Sequence, residues 1–576
     1  MTESIVRVPE DRAEEYRRRG WWLPLPITDV ALGSSSSYAD RCAVVDGDRR
    51  LSYGELAAAV DAAASRLHRL GIRRRDHVLV QLPNSLEHVV VVLALIRLGA
   101  PPVVTLPALR EYELDHIIRV TRPVAMAVPR RSRRFDHLAM AERLRDRHPE
   151  IRTLLVTDDD RSATAAQAEE LTDLTALTLG GILPGVRIPQ DDRRPLAAEV
   201  PEPPGPRDNA LFLLSSGTTG PPKAIPRTHE AFGHVVRSAA EVSGLTEASV
   251  YLAVLPASHS FVFGHPGILG TLSRGGRVVL AAPDDARRTL SLIERERVTH
   301  CALTPAVLLQ WLAAIEPGRH NLTSLEVLQV GGARLDTTTA RKAREQLRCQ
   351  IQQVYGMSEG LLNFTRLDDP DVVVDETQGR PAAAGDEFLV VDEAGREVSA
   401  GEIGELLTRG PSVLAGYYRD DEGNARSFTE DGYYRTGDLV RVHPSGNLVV
   451  AGRLKDVINR GGEKIPADEL EGVVLTHPGI GAAAAVAMPH PVYGEAVCLV
   501  VVNAREPAPT LLELRRFLED SGLARYKLPE RLILAEALPL VGVGKVNKVA
   551  LRTEVARLIA SDHPPADGQH LLQADV

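Results

Sequence analysis

Short apolar runs alternate with stretches of helical length through most of residues 1–450. Val78–Gln81, Ala210–Leu214, Arg277–Leu280 and Leu325–Val330 have the apolar continuity of buried strands. Ser85–Leu98 has helical length, with a polar entry at Asn84. This alternation predicts α/β layers built on parallel sheets. From about Thr157 to Arg207 the pattern lapses. The segment is acidic early and proline-rich late, ending Pro201-Glu202-Pro203-Pro204-Gly205-Pro206, which predicts a long, loosely ordered connection. Gly432–Asp438 and Asn447–Ala451 predict a hairpin-rich β region. A smaller α+β unit follows the glycine- and charge-bearing stretch Gly452–Asp456 and ends near Leu558. The expected organisation is a large domain over 1–452, with stacked, mostly parallel sheets, helices and a small β-rich subdomain. A small, mobile α+β domain over 453–560 and a flexible polar tail over 561–576 complete it.

Length and composition fit this layout. A chain of 576 residues exceeds one domain on a prior of about 150 residues per domain, and 44% hydrophobic residues supply an ordinary core. A net charge of −10 argues against a general nucleic-acid binder. The longest apolar run, Val89–Ile96, is too short to span a membrane. Cys42, Cys301, Cys349 and Cys498 lie far apart without a CxxC pair, and Met1-Thr2-Glu3-Ser4 lacks the pattern of a signal peptide. Both features predict reduced thiols in a cytoplasmic protein. Arg73–Arg75 and Arg130–Arg134 read as solvated patches.

The basic residues carry more information. Of 67 Lys and Arg, only seven are Lys, and four of those (Lys223, Lys455, Lys464 and Lys545) lie in or beside glycine-rich turns. Lys offers a compact charge on a flexible stem, which suits a phosphate or a shifting negative charge. Lys223 closes the stretch Leu214-Ser215-Ser216-Gly217-Thr218-Thr219-Gly220-Pro221-Pro222-Lys223. Gly217 and Gly220 permit close backbone approach. The hydroxyls of Ser215, Ser216, Thr218 and Thr219 add donors, so the loop is suited to phosphate. It is not a Walker A loop: Ala224 follows the lysine where Ser or Thr would hold Mg²⁺, and two prolines block a helix start.

Five further clusters follow in order. Gly331-Gly332-Ala333 ends a strand, where a double-glycine turn admits a flat ring. Tyr355-Gly356-Met357-Ser358-Glu359-Gly360 offers an aromatic face and a carboxylate able to hold Mg²⁺ on phosphates. Tyr434-Arg435-Thr436-Gly437-Asp438 ends in an acid that could accept two ribose hydroxyls. Gly452–Lys464, containing Arg453, Lys455, Gly461 and Gly462, could bend as a hinge, and Gly542–Lys545 presents a lysine on a flexed loop. Each cluster taken singly also suits an ordinary turn.

Together, in this order and spacing, they resemble the adenylate-forming enzymes: acyl-CoA synthetases, luciferases and adenylation domains of non-ribosomal peptide synthetases. Gln353–Pro370, Phe428–Asp438, Val457–Lys464 and the stretch Tyr16–Trp22 are similar to the stand-alone aryl-acid-activating branch, typified by 2,3-dihydroxybenzoate–AMP ligase. The resemblance implies that a carboxylate displaces pyrophosphate from ATP to give an acyl-adenylate, and that a thiol then displaces AMP. Lys545 would bridge the carboxylate and adenylate oxygens. Thr218, Thr219 and Lys223 would hold the leaving phosphates, and Glu359 the Mg²⁺. Asp438 and Arg453 would fix the ribose, and Tyr355 would stack on adenine beside Gly331–Ala333. Lys455 would be the hinge, and the Gly461-Gly462 loop would face a phosphopantetheine thiol on a carrier protein. Two alternatives stand beside this reading. One is a ligase delivering to coenzyme A. The other is a silent ligand-binding relative, which would have lost the phosphate loop, Glu359, Asp438 or Lys545; all are present.

The resemblance also places the acid pocket along His259-Ser260-Phe261 to His265, with Gly332 and Leu362 as further walls and His259 at its mouth. Adenylation domains for α-amino acids carry Asp where Ser260 stands. Without it an ammonium would be buried without its counter-charge, so an acid lacking the α-amine is expected. Enzymes for 2-hydroxybenzoates carry Asn at Ser260 and Ser or Cys at His265. The departure at both positions points to another ring acid, such as an amino- or hydroxybenzoate or a nitrogen heteroaromatic acid. Alternatively, Ser260 and an ordered water read the same hydroxyl.

Overall fold

The computed structural model describes residues 6–33, 37–157, 171–180, 182, 203–215, 222–282, 285–316, 319–460, 463–490, 493–521, 523, 525–541, 544–561, 571 and 572. Two large sheets carry the α/β expectation. The first has nine strands, in the order Arg380–Pro381, Gly360–Phe364, Gln350–Met357, Val327–Gly331, His300–Leu303, Val250–Ala253, Arg277–Leu280, Cys42–Asp46, Arg49–Ser52. From Gln350–Met357 to Cys42–Asp46 every pairing is parallel; the outer ones are antiparallel. The second has seven strands, in the order Ala224–Thr228, Asn209–Leu214, Pro102–Val104, Val78–Val80, Ala125–Pro129, Thr153–Thr157, Leu171–Asp173. There only the Ala224–Thr228 pairing is antiparallel.

Helices Tyr53–Arg69 and Leu86–Leu98 share one apolar cluster with strands of both sheets. The run Val89–Ile96 is therefore a core helix, apolar on all sides because it is covered on all sides. Its entry differs from the sequence expectation. Ser85 caps it by accepting from His88 N at 3.2 Å, whereas Asn84 ties down neighbouring strand ends. The Asn84 amide donates to the carbonyls of Ala253 (3.1 Å), Leu255 (3.0 Å) and Ala281 (2.8 Å), and its Oδ1 accepts from Ala257 N at 2.6 Å. This fixes the start of the segment expected to line the acid pocket.

The stretch expected to be loosely ordered contains regular structure. Leu171–Asp173 adds a parallel strand beside Thr153–Thr157, and Asp173 caps the helix Leu174–Leu179, which buries Leu174, Leu177 and Leu179. Arg66 donates to the Leu177 carbonyl at 2.8 Å and to that of Gly180 at 3.0 Å. Six helical residues are too few to establish a periodicity, and tertiary burial stabilises the turn.

Antiparallel strands Glu387–Val391, Gly404–Arg409, Tyr434–Val442 and Leu448–Arg453 form a four-stranded sheet, as the hairpin pattern predicts. One 3₁₀ turn, Leu454–Asp456, leads from it to the last sheet. That sheet pairs Val457–Arg460, Glu463–Pro466, Ile480–His490, Gly494–Asn503 and Arg531–Ala535, with helices Ala467–Val474, Leu511–Asp520 and Lys548–Ser561 packed on it. Within the polar tail, Leu571–Leu572 pairs in parallel with Leu534 and Ala535, an ordered contact where the composition predicts fraying. The four cysteines are free, three buried and Cys42 half-buried. Among the described residues no helix is long and apolar enough to cross a membrane.

Candidate active site

Three parallel strands of the nine-stranded sheet end on one side, and the chain leaving each one lines the same cavity. Val250–Ala253 leads to His259, Ser260, Phe261 and His265, Val327–Gly331 to Gly332, and Gln350–Met357 to Ser358 and Glu359. Carboxyl ends of parallel strands are where α/β sheets bind ligands. The cavity measures about 680 Å³ and is closed by Ser215 and Lys223, by Tyr434–Asp438 and Arg453, and by Val541 and Lys545. Residues more than 300 positions apart thus converge on one space.

At one end Asp438 is buried and accepts from two sides. Arg453 stands opposite it in the antiparallel ladder, with Nε 2.7 Å from Oδ1, and the Tyr355 hydroxyl donates to Oδ2 at 2.6 Å. Gly437, at φ 68°, turns the chain there, and the Asp438 N–H donates to Thr436 Oγ1 at 3.0 Å. Tyr355 and Ala333 do not line the cavity, in contrast to the expectation for an adenine-stacking face. Strand alternation points Val354 and Gly356 inward and packs Tyr355 beside Leu361, Leu406 and Val440. Burial and the neighbouring carboxylate push the Tyr355 hydroxyl well above its ordinary value, so it stays a donor.

Glu359 is held at both its backbone and its side chain. Its carbonyl accepts from Leu414 N at 2.7 Å and from Arg227 Nη1 at 3.2 Å, while its Oε1 accepts from Tyr417 at 3.0 Å. Tyr417 in turn shares a 2.9 Å hydrogen bond with Tyr434. Burial raises the Glu359 carboxyl above its ordinary range, opposed by the Tyr417 bond and the charges of Arg453 and Lys545. Lys223 Nζ lies 4.2 Å from the ring centre of the same Tyr417 and 3.1 Å from Asp420 Oδ2. The Lys223 N–H donates to Ser215 Oγ at 2.9 Å, closing the base of the loop. Ser216, Gly217, Thr218, Thr219 and Gly220 lie outside the described residues. A buried carboxylate that lines the cavity fits Mg²⁺, a hard ion that takes one or two protein carboxylates and completes its shell with phosphates and water. Among the described residues no cluster of three His, Cys, Asp or Glu could hold a metal ion.

Lys545 enters from the last domain on a short hairpin, with Val541 opposite it and Gly544 at φ 94°. Gly332, at φ 82°, lies in the left-handed region that favours glycine; a Cβ there would press on Thr304 Cγ2 at 3.3 Å and meet Lys545 Cε at 3.9 Å, an ordinary contact distance. Burial lowers the Lys545 ammonium below 10.5, and Arg453 adds to the effect. Lys455, in the 3₁₀ turn, also faces the cavity; burial and Arg453 lower it to about 8. Arg552 donates to the Lys455 carbonyl at 3.2 Å. Gly461 and Gly462 lie outside the described residues.

The acid-pocket residues gather on the opposite wall. His259 Nδ1 accepts from Phe261 N at 3.2 Å and caps the turn Ser260–Phe263, while burial and Lys545 lower its imidazole to about 3 and keep it neutral. Ser260 Oγ lies 3.2 Å from Ser358 Oγ. His265 is buried against the edge of Phe232, ring centres 5.8 Å apart, and burial followed by the Arg227 charge holds it far below the ordinary value. Leu362 lines the same region, and Gly356 leaves it space; a Cβ there would overlap its side chain. Sequence reasoning missed Asn84, Arg227, Tyr417 and Asp420. Only the scarcity of buried Arg could have marked Arg227, and that is legible only once burial is known.

Residues 34–418 match the family described as AMP-binding enzyme, and 469–545 match the AMP-binding enzyme C-terminal domain. The chain is 46% identical to a salicylyl-CoA synthase / salicylate adenylyltransferase of Streptomyces sp and 41% identical to 2,3-dihydroxybenzoate-AMP ligase of Bacillus subtilis. Each comparison covers 96% of this chain and 98% of the relative. The apo structure of Mycobacterium smegmatis MbtA superposes with a TM-score of 0.71 at 40% identity, over 96% of this chain and 98% of that one. With the fold, the converging site and both family matches in agreement, the chain belongs to the AMP-binding, adenylate-forming ligases.

Proposed function

We propose that this ligase activates an aromatic carboxylic acid that lacks an α-amine. One acid oxygen attacks the α-phosphorus of ATP, the bond to the β-phosphate breaks, and pyrophosphate leaves. A thiol sulfur then attacks the carbonyl of the acyl-adenylate, and AMP departs. The observation that carries this reading is the single cavity joining Asp438 and Arg453, Glu359 and Lys223, and Lys545 to the wall of His259, Ser260 and His265. Asp438 and Arg453 fit a ribose, and Lys223 with the loop 215–223 fits the departing phosphates. Lys545 sits where negative charge from acid and phosphate would meet. Mg²⁺, when bound, supplies charge neutralisation on the phosphates, and Glu359 is the residue that would hold it. The segment 453–560 would turn about Lys455 between the two half-reactions, withdrawing Lys545 and presenting Gly461 and Gly462 to the thiol.

For the acceptor we propose the phosphopantetheine thiol of a carrier protein in non-ribosomal peptide or siderophore-type biosynthesis, in the cytoplasm. A second reading has a specific basis: two of the relatives are named salicylyl-CoA synthase and 2-hydroxy-7-methoxy-5-methyl-1-naphthoate--CoA ligase, and coenzyme A presents the same thiol arm. Acid-dependent ATP–pyrophosphate exchange tests the first half-reaction. Thioester yield with coenzyme A against a pantetheinylated carrier protein separates the acceptors. No exchange with any aromatic acid would overturn the proposal.

A further inference from the structure

Lys223 stands at the phosphate end of the cavity already paired. Its Nζ lies 3.1 Å from Asp420 Oδ2 and 4.2 Å from the ring centre of Tyr417, and the two charged side chains are 35% and 33% exposed. Lys223 and Tyr417 line the cavity, whereas Asp420 does not. Asp420 is firmly anchored. Its Oδ1 accepts from Gly423 N at 2.9 Å and caps the helix Asp421–Ser427, and its carbonyl accepts from Asn424 N at 2.8 Å. Asn424 in turn bonds both backbone groups of Tyr417, at 2.7 and 3.0 Å. Tyr418 N donates to the Ala224 carbonyl at 3.0 Å, one residue beyond Lys223. Burial would raise the Asp420 carboxyl, but the bonds from Lys223 and Gly423 outweigh it and hold the group below its ordinary value, an anion at neutral pH. The movable partner is the lysine, a compact charge on a flexible stem.

We infer that Asp420 is a positioning residue that acts through Lys223 to weaken the hold on pyrophosphate and so favour its departure. This rests on the reading of Lys223 as a cation for the leaving phosphates and adds a carboxylate that opposes it. A phosphate approaching Lys223 must share the ammonium with a fixed anion, and that anion also repels the phosphate. As pyrophosphate leaves, Asp420 takes the ammonium back, so the cation is never left without a counter-charge. The same opposition acts on the phosphates of ATP. Both side chains are partly exposed, so water and salt screen the pair, and its effect has the size of a surface ion pair. His259, Ser260 and His265 lie on the opposite wall, so acid binding is outside its reach.

Asp420→Asn tests this, because Asn caps a helix as well as Asp does and the charge alone is lost. With the aromatic acid that supports the fastest exchange, initial rates of adenylate formation, trapped by hydroxylamine, give Ki for pyrophosphate and KM for ATP and acid. The substitution should lower Ki for pyrophosphate and KM for ATP by about 2- to 5-fold, the range of one partly exposed ion pair. KM for the acid should stay in place, and the shift should shrink at high salt. Asp420→Ser, a second uncharged cap, should reproduce the drop, and urea unfolding verifies that both variants fold. Lys223→Ala should raise Ki, and adding Asp420→Asn to it should change Ki no further, which closes a double-mutant cycle. A Ki that stays level or rises in Asp420→Asn, or falls equally in the Lys223→Ala background, would overturn the inference and leave the proposed function standing. A Ki unmoved by Lys223→Ala would overturn the inference together with the phosphate role of Lys223. No adenylate from any aromatic acid would overturn the proposed function as well.

Discussion

Asp438 and Arg453 face each other across two antiparallel strands, with Nε 2.7 Å from Oδ1, at the rim of the cavity that Lys545 enters from the last domain. The ladder register fixes this pair before any ligand arrives. One carboxylate is thereby held by Arg453 on one side and by Tyr355 on the other. Removing it strands both partners. Asp438→Ala should therefore raise KM for ATP by about 10- to 100-fold, the range of a charged hydrogen bond lost from a buried site. KM for the acid should move much less. Exchange kinetics with ATP and acid varied separately check this split.

Lys545 tests the charge argument. Lys545→Ala should lower acid-dependent exchange by about 100-fold or more, because a preorganised cation at developing charge is commonly worth that much. ATP binding by calorimetry should be nearly unchanged. The proposed role requires the ammonium, and burial lowers its pKa below 10.5, so activity should fall on an alkaline limb that lies below 10.5 in the wild-type enzyme. An exchange rate insensitive to Lys545→Ala would remove it from the mechanism.

Arg227 is a positioning residue, since it grips Glu359 and Ser412 by their carbonyls rather than any reacting group. It is 2% exposed, and burial brings its guanidinium down to about 10, which leaves it charged at neutral pH. Arg227→Gln should destabilise the fold by about 2–4 kcal/mol through the stranded carbonyls. It should also raise the Mg²⁺ concentration needed for half-maximal exchange. Urea unfolding reads the first effect. A Mg²⁺ titration at fixed ATP reads the second, which a purely structural role would not move.

Asp386 predicts a pH dependence of stability. Burial raises its carboxyl from 3.8 to about 7, while its Oδ1 accepts from Ser412 N at 3.0 Å. Between those values the unfolded chain has released a proton that the folded chain retains. This group's contribution therefore falls as pH rises from about 4 to about 7 and is level above that. Asp386→Asn keeps the acceptor and removes the titration. The stability of the variant relative to wild type should grow across that window and then stay constant, as measured by urea unfolding at successive pH values.

The parallel α/β layers were legible because buried strands are continuously apolar and the intervening helices have their own length and caps, as in Leu86–Leu98. The β-rich region was legible from Gly432–Asp438 and Asn447–Ala451, whose turn residues sit between short strands. The helix Leu174–Leu179 was not, because its six residues carry too little periodicity and are held by Arg66, far away in the chain. Asn84 was read only as the polar entry to a helix for the same kind of reason: the four carbonyls its amide reaches all lie beyond residue 250.

By itself the sequence determined the family chemistry: the glycine-rich turn before Lys223, Glu359, Asp438 and Lys545 in their order, and the absence of an acid at Ser260. Those are properties of residue type and local spacing, which a linear chain displays in full. Tertiary structure alone decided how they are used. It turned Tyr355 onto Asp438, hung Glu359 between Arg227 and Tyr417, and brought Lys545 to Gly332. It also set Asp420 against Lys223. Each of these depends on which distant segments exclude water from a side chain and which atoms then stand within hydrogen-bond reach, and only the folded chain sets those distances.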